Sequence, residues 1–187
     1  SVYDLNLSRE LALPLTPERF WGTQVYKTSP TPEMNQKSLK SYESFYKFME
    51  TCIARILDRF GICIIYDIHS YNISRQKEKG IVSPPVFNLG TALLDKSKWK
   101  QAISLWLEQL GNISLPGIKT DVAENHVFSG KAEFCRRLCN MDDRILVLPT
   151  EVSKVYMDEK KGIVYPDVIA AVKNGLQNAI LSHVQLL

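Results

Sequence analysis

Residues 62–68, Ile-Cys-Ile-Ile-Tyr-Asp-Ile, narrow the choice of fold sharply. Both alternating sets of side chains are apolar up to Asp67, and a strand with this pattern is typically buried on both faces in the middle of an α/β sheet. Gly61 stands directly before the stretch, in the position after a helix that favours glycine. The pattern therefore predicts a helix that ends at Gly61 and a central strand that follows it.

Helical periodicity marks four other segments. Apolar side chains recur at steps of three and four over residues 39–60 and again over 99–110. We expect Ser97 to cap the second of these helices, a third helix over 131–139, and a last helix that begins at Pro166, whose ring suits the first helical position. The side chains expected to point inward are, on the first helix, Leu39, Tyr42, Phe45, Tyr46, Met49, Ile53, Ile56, Leu57 and Phe60, and on the last, Ile169, Val172, Leu176, Ile180 and Val184.

Two further short strands are predicted, over residues 86–90 and 145–148, and residues 74–85 are typical of a polar loop. The resulting order is helix, strand, loop, helix, strand, helix, which favours an α/β layer fold. We predict a mixed central sheet with helices on both faces, in a single domain over residues 1–187.

Composition excludes several classes of protein. The chain is 45% hydrophobic and 23% charged, as is usual for soluble globular proteins, and no apolar stretch approaches the roughly 20 residues that span a bilayer. The net charge of +3 is spread along the chain, which argues against nucleic-acid binding. The four cysteines lack the spacing of a structural zinc site, so we expect reduced thiols in a cytoplasmic protein. From the apolar runs and the charge pattern we expect binding to neither membrane nor nucleic acid.

His69 comes where the apolar strand gives way to polar residues. Open α/β sheets bind ligands beyond the carboxyl ends of their strands. Asp67 lies two residues earlier and therefore on the same face of the strand, where its carboxylate would orient the imidazole and select the nitrogen that binds a metal. A histidine that caps the strand end by hydrogen bonding is the simpler interpretation, and the residues alone leave both open.

Glu151 follows a second apolar strand, with Pro149 and Thr150 between. A carboxylate beside a metal site takes a proton from water and passes it to a leaving amine. The alternative is a surface or salt-bridged glutamate.

Two polar segments supply candidates for substrate binding. Asn6, with Arg9 as the nearest arginine, can hold a carboxylate, the arginine through its two-pronged guanidinium. The alternative for Asn6 is a loop held by Asx hydrogen bonds. Asn125 lies in the segment 124–130, where Gly130 allows close backbone approach to a ligand. His126 is more typical of an ordinary loop histidine, and the same holds for His183 in the last helix.

Taken in order, these segments resemble the N-formylglutamate amidohydrolase family, and most of all its branch known as flavohaemoglobin expression-modulating proteins. Each segment is short, but their common order along nearly the whole chain is specific. The matching segments are Asp4-Leu5-Asn6, Trp21-Gly22, Ile68-His69-Ser70-Tyr71-Asn72, Asn88-Leu89-Gly90-Thr91, Glu124-Asn125 with Phe128-Ser129-Gly130, and Glu151 with Met157-Asp158-Glu159.

The resemblance implies a zinc-carboxypeptidase-like fold and a zinc-dependent hydrolase. The implied reaction is cleavage of the amide bond of an N-formyl or other N-acyl amino acid, or of a related peptide-like small molecule. His69 would be the third ligand of the Zn²⁺ cofactor and Glu151 the general base. Asn6 would help to hold a substrate carboxylate, with Arg9 and Asn125 as further substrate-binding candidates.

Two features depart from the family pattern. Leu7 stands where the family usually has an arginine after the asparagine. The family's first histidine and acidic ligand precede the Asp-Leu-Asn segment, with which this chain begins, whereas a catalytic zinc takes three protein ligands. We therefore expect the chain to be the C-terminal portion of the domain, completed by upstream residues. The alternatives are a catalytically inactive relative that binds an amino acid or peptide, and an α/β domain whose motifs match by chance.

Overall fold

The computed structural model describes residues 2–20 and 22–186, with only the backbone at Phe20. Trp21, which belongs to one of the matching segments, lies outside the described residues. A 3-10 turn at Pro17–Phe20 comes before the first helix. The helices are α1 (Pro32–Phe60), α2 (Ile73–Glu78), α3 (Lys100–Gly111), α4 (Glu133–Cys139) and α5 (Pro166–Leu186). The strands are β1 (Cys63–Tyr71), β2 (Phe87–Leu89), β3 (Val122–Glu124), β4 (Ile145–Ser153), β5 (Met157–Asp158) and β6 (Ile163–Val164).

The chain divides into two compact units. The first comprises Ser1–Cys63 and Ala132–Ile145, and the second comprises Ile64–Lys131 and Leu146–Leu187. Apart from the first residue of β1 and of β4, the main sheet belongs to the second unit. A single domain over residues 1–187 stays a prediction. None of the helices in the described residues combines the length and apolar character needed to cross a membrane.

The main sheet has four strands in the order β1-β4-β2-β3. Strand β2 is antiparallel to β4 and parallel to β3. Strands β1 and β4 run in the same direction, because backbone hydrogen bonds join Cys63 to Arg144 at their starts and Tyr71 to Lys154 at their ends. The predicted mixed sheet is therefore confirmed. Strands β5 and β6 form a separate antiparallel pair.

One face of the sheet, which we call the core face, is covered by α3 and α5. The Trp106 side chain of α3 is fully buried, and its indole N–H donates to Thr150 Oγ1 of β4 at 2.9 Å. Its ring lies 4.8 Å from that of Tyr66 on β1 and 5.5 Å from that of His183 on α5. Aromatic rings at these separations contribute beyond their buried area, so the core joins the sheet to both helices.

Helix α1 lies in the first unit and has clear start and stop signals. Thr31 caps it by accepting from the Met34 N–H at 3.3 Å. Gly61 ends it in the left-handed region at φ 74°, with its N–H bonded to Leu57 O. The predicted end is confirmed, but the helix begins seven residues before the predicted apolar face does. The predicted apolar face includes residues that are exposed in the structure, since Ile56 is 39% exposed and Phe60, in the last turn, is 64% exposed.

Both central strands are longer than predicted. Strand β1 continues through His69 to Tyr71, and β4 continues through Glu151 to Ser153. Hydrogen bonds of the ladder satisfy the backbone whatever the polarity of the side chains. The polar residues therefore lie within the strands, and the prediction that they follow the strand ends was wrong.

Two local predictions were also wrong. Helix α2 takes up residues 74–78 of the predicted polar loop, and Glu159 accepts hydrogen bonds from the N–H groups of Ile73 and Ser74 in its first turn. Ser97 does not cap α3, because both its N–H and its hydroxyl bond to Asp95 in a turn before the helix.

The inward face of α5 is confirmed in its middle and wrong at its two ends. Three of the predicted residues are buried or pack against the core, namely Val172, Leu176 and Ile180. Ile169 is 38% and Val184 55% exposed, and their neighbours Val168 and His183 are buried instead. Neighbouring apolar positions allow either face, and packing against the sheet decides between them.

Candidate active site

Three side chains from neighbouring strands stand in one row across the sheet. The Lys154 N–H donates to Tyr71 O, which in a parallel ladder makes Glu151 the neighbour of His69. The antiparallel pairing of β4 with β2 sets Glu151 opposite Asn88. Residues directly across a sheet project from the same face. These three therefore share the face opposite the core face, which we call the site face.

Asp67 orients the imidazole of His69 on the site face. Its Oδ1 lies 2.7 Å from His69 Nε2. The carboxyl side chain is 13% exposed and the imidazole 34% exposed. Because a carboxylate only accepts hydrogen bonds, Nε2 carries a proton, and in the neutral ring the lone pair then lies on Nδ1. The two residues are therefore in contact on one face, while a role for Asp67 in orienting a metal ligand stays a prediction.

Glu151 is in a setting that favours its protonated form. Burial raises the pKa of its carboxyl group above the ordinary value, and the nearby Asp67 carboxylate raises it further. The positive charge of a protonated His69 acts in the opposite direction. A carboxyl group with a raised pKa both accepts and releases a proton nearer to neutral pH, which suits a general base that later acts as an acid.

Asn88 completes the row and was not among the predicted site residues. Its side chain is fully buried, and its Oδ1 accepts from the N–H groups of His126 and Val127 at 2.9 Å each. Its Nδ2 donates to Phe128 O at 2.8 Å. A polar residue in the short apolar run of β2 was the signal available in the sequence, but nothing in the pattern named its partners.

Asn125 lies beyond the end of β3 and adopts a left-handed backbone at φ 55°. Its Oδ1 accepts from the Thr91 N–H and its Nδ2 donates to Thr91 Oγ1. Glu124 accepts from the same threonine hydroxyl and from Lys96. The amide thus ties β3 to the chain after β2, while its assignment to substrate binding stays a prediction.

Asn6 and Arg9 lie in the first unit. The backbone at Asn6 is closely held, because the carbonyls of residues 5, 6 and 7 accept from Tyr46 Oη, the Glu133 N–H and Tyr42 Oη at 2.6, 2.9 and 2.9 Å. Arg9 pairs with Glu43 at 2.6 Å, and both side chains are about half exposed. Their roles in substrate binding stay predictions.

A complete metal site is not found among residues 2–20 and 22–186, where no three His, Cys, Asp or Glu side chains are placed to hold an ion together. The row offers one imidazole, which is short of the three protein ligands of a catalytic zinc. The described residues therefore do not fit a zinc ion on their own.

Comparison with known proteins supports the fold and identifies the family. A crystal structure of N-formylglutamate amidohydrolase from Ralstonia eutropha JMP134 superposes with a TM-score of 0.62 at 17% sequence identity. The match covers 86% of this chain and 58% of the other, so this chain spans little more than half of that protein. No curated protein matches in sequence. The profile of the N-formylglutamate amidohydrolase family matches residues 2–157, and the chain therefore belongs to that family.

Proposed function

We propose that this chain carries the proton-transfer part of a hydrolase active site that cleaves the amide bond of an N-acyl amino acid or a related peptide-like small molecule. The observation that carries the proposal is the row on the site face, in which Glu151 lies beside His69 and His69 is held by Asp67. Membership of the family supports the same reaction class.

The chemistry assigned to this chain is a pair of proton transfers. Glu151 accepts a proton from water as the water oxygen bonds to the carbonyl carbon of the substrate. When the carbon–nitrogen bond breaks, the same carboxyl group delivers that proton to the departing nitrogen, which leaves as an amine. The raised pKa of Glu151 favours these two proton transfers, because such a carboxyl group takes up a proton from water more readily than one with the ordinary pKa.

We also propose that His69 is one ligand of a Zn²⁺ ion through Nδ1, the ring nitrogen opposite the one that Asp67 engages. The described residues do not complete such a site. The proposal therefore requires ligands from elsewhere in the intact protein.

Substitution of Glu151 tests the proposed reaction. In the intact protein, Glu151→Gln should lower kcat for hydrolysis of N-formyl-L-glutamate by a factor of roughly 10²–10⁴, because the amide cannot carry the proton. Release of free amine measures turnover. Glu108→Gln, the same change at an exposed position of α3, is the matched control and should leave kcat unchanged. Full turnover by Glu151→Gln would refute the assigned role.

Elemental analysis tests the metal ligand separately. His69→Ala should reduce the zinc content of the purified intact protein, whereas Glu151→Gln should retain it. Equal zinc content in wild type and His69→Ala would rule out His69 as a ligand. Binding of N-acyl amino acids without any turnover by wild type would instead favour the inactive binding relative.

A further inference from the structure

The segment His126–Gly130 lies over the site face and meets it at three places around Glu151. The first contact is at Asn88, directly across from Glu151 in the ladder. Its amide holds the N–H groups of residues 126 and 127 and the carbonyl of Phe128. Because the Asn88 side chain is fully buried and projects from the site face, this part of the segment lies beside the carboxyl group of Glu151.

The second contact is at Gly90, two residues after Asn88 and therefore on the same face. A Cβ atom added there would lie 2.5 Å from Gly130 Cα and 2.7 Å from Ser129 C, and would also collide with Gly130 N. Gly130 approaches Pro149 just as closely, since its own added Cβ would lie 2.8 Å from Pro149 Cγ. Pro149 precedes Glu151 by two residues on β4, so the segment lies directly on the sheet at this edge of the site.

The backbone conformation of Gly90 does not require glycine. Its φ lies outside the left-handed region, unlike that of Gly130 at 76°. The absence of a side chain at Gly90 therefore matters for space alone: it lets the backbone of residues 129–130 pack against the backbone of β2. The Ala92 N–H also donates to Ser129 O at 3.0 Å, which ties the two segments together.

The third contact is between the rings of Phe128 and Tyr71, whose centroids are 5.7 Å apart in an edge-to-face arrangement. Tyr71 follows His69 by two residues on β1 and projects from the site face. The segment thus contacts three residues that surround Glu151 on the site face, namely Asn88, Pro149 and Tyr71. On the side of β1, the neighbours of Glu151 are His69 and Asp67.

We propose that residues 126–130 form a substrate-contacting wall beside Glu151, and that Asn88 and Gly90 are positioning residues that hold this wall against the sheet. The inference rests on the proposed function and adds the part of the chain that touches the bound amide substrate. It assigns Asn88 and Gly90 a role in binding and none in proton transfer.

Gly90→Ala in the intact protein tests the wall, with Gly111→Ala as the matched control. At Gly111, the last residue of α3, an added Cβ meets only Val122 Cγ2 at 3.9 Å, an ordinary contact. Gly90→Ala should speed amide hydrogen exchange at His126 and Val127, because the wall moves off Asn88. It should raise KM for N-formyl-L-glutamate about tenfold or more and change kcat by less than about threefold, the pattern of lost substrate binding. Gly111→Ala should leave all three quantities unchanged.

The outcomes separate this inference from the proposed function. Faster exchange with unchanged KM would show that the wall does not touch substrate, and unchanged exchange would show that Gly90 does not hold it. Either result would overturn the inference while leaving wild-type hydrolysis intact. A wild type without turnover of any N-acyl amino acid would contradict the proposed function instead.

If Gly90→Ala does not fold, Asn88→Ala serves as the second variant. It removes the acceptor for the N–H groups of residues 126 and 127 and the donor to Phe128 O, and it places no charge beside Glu151. The same rise in KM, with faster exchange in the segment, is expected. Wild-type KM in the folded Asn88→Ala protein, or unchanged exchange at His126 and Val127, would refute the wall.

Discussion

At the scale of single residues, Glu151 and Asn88 are neighbours in the sheet whose side chains have different roles. Glu151 has a buried carboxyl group whose pKa is raised, so it is suited to proton transfer. Asn88 has a fully buried amide whose oxygen and nitrogen both bond to the segment above the sheet. A buried polar side chain with several partners contributes to stability mainly because removing it leaves those partners unsatisfied.

Asn88→Ala should therefore destabilise the protein. Two N–H groups and one carbonyl lose their partner. Because each hydrogen bond contributes about 0.5–1.5 kcal/mol, we expect a loss of about 2 kcal/mol in the free energy of unfolding. Urea denaturation measures it. Asn112→Ala, at the exposed residue after α3, is the control and should change stability by less than about 0.5 kcal/mol. Equal effects of the two substitutions would contradict the assigned contacts.

At the scale of elements, the sequence predicted the end of α1 but not its start. Gly61 supplies the left-handed residue that terminates the helix, whereas the helix begins at Pro32, seven residues before the predicted apolar face, because proline in a first turn has no N–H that would need a partner. The strands were less readable. Polar residues from Asp67 onward resemble a loop, but the ladder with β4 keeps β1 extended as far as Tyr71.

The cap of α1 gives a prediction at this scale. Thr31→Ala removes the acceptor for the Met34 N–H and should cost about 0.5–2 kcal/mol of unfolding free energy. Thr51→Ala, at an exposed interior position of the same helix, should be neutral or slightly stabilising because alanine has the higher helix propensity. Thermal unfolding of both variants measures the difference, and a Thr31→Ala protein as stable as Thr51→Ala would exclude a capping role.

At the scale of the folded second unit, His183 joins three elements. It lies on α5 with no exposed surface, its Nδ1 accepts from Tyr66 Oη of β1 at 2.5 Å, and its Nε2 donates to Ala102 O of α3 at 2.8 Å. Burial lowers the pKa of this imidazole, although the bond to Ala102 O acts in the opposite direction. Burial also raises the pKa of Tyr66 to about 12, so that partner stays uncharged at neutral pH.

Stability should therefore fall as the pH drops below about 6.5, the ordinary pKa of histidine. In that range the unfolded chain binds a proton at residue 183 that the folded protein excludes, which favours unfolding by up to about 1.4 kcal/mol per pH unit. The loss stops below the lowered pKa of the folded state. Chemical denaturation at pH 5–8 should show a smaller slope for His183→Gln than for wild type. A His183→Gln slope equal to that of wild type would contradict the account.

Features that depend on nearby residues were determined by the sequence alone. The end of α1 at Gly61, the start of α5 at Pro166 and the shared face of Asp67 and His69 follow from caps, fixed dihedral angles and the two-residue period of a strand. The order of the short motifs was enough to indicate the family that the profile match confirms. The layered α/β architecture also followed, because an apolar strand flanked by helices has few other places to be buried.

Tertiary structure decided everything that depends on pairing between distant segments. Only the register of β1 with β4 places His69 beside Glu151, and only that of β4 with β2 adds Asn88. The close approach of Gly90 to Gly130 and the inward turn of His183 on α5 likewise arise from packing. The physical reason is that caps and periodicity act within a few residues of the chain. Ladder register and packing depend instead on contacts between segments that are far apart in the sequence.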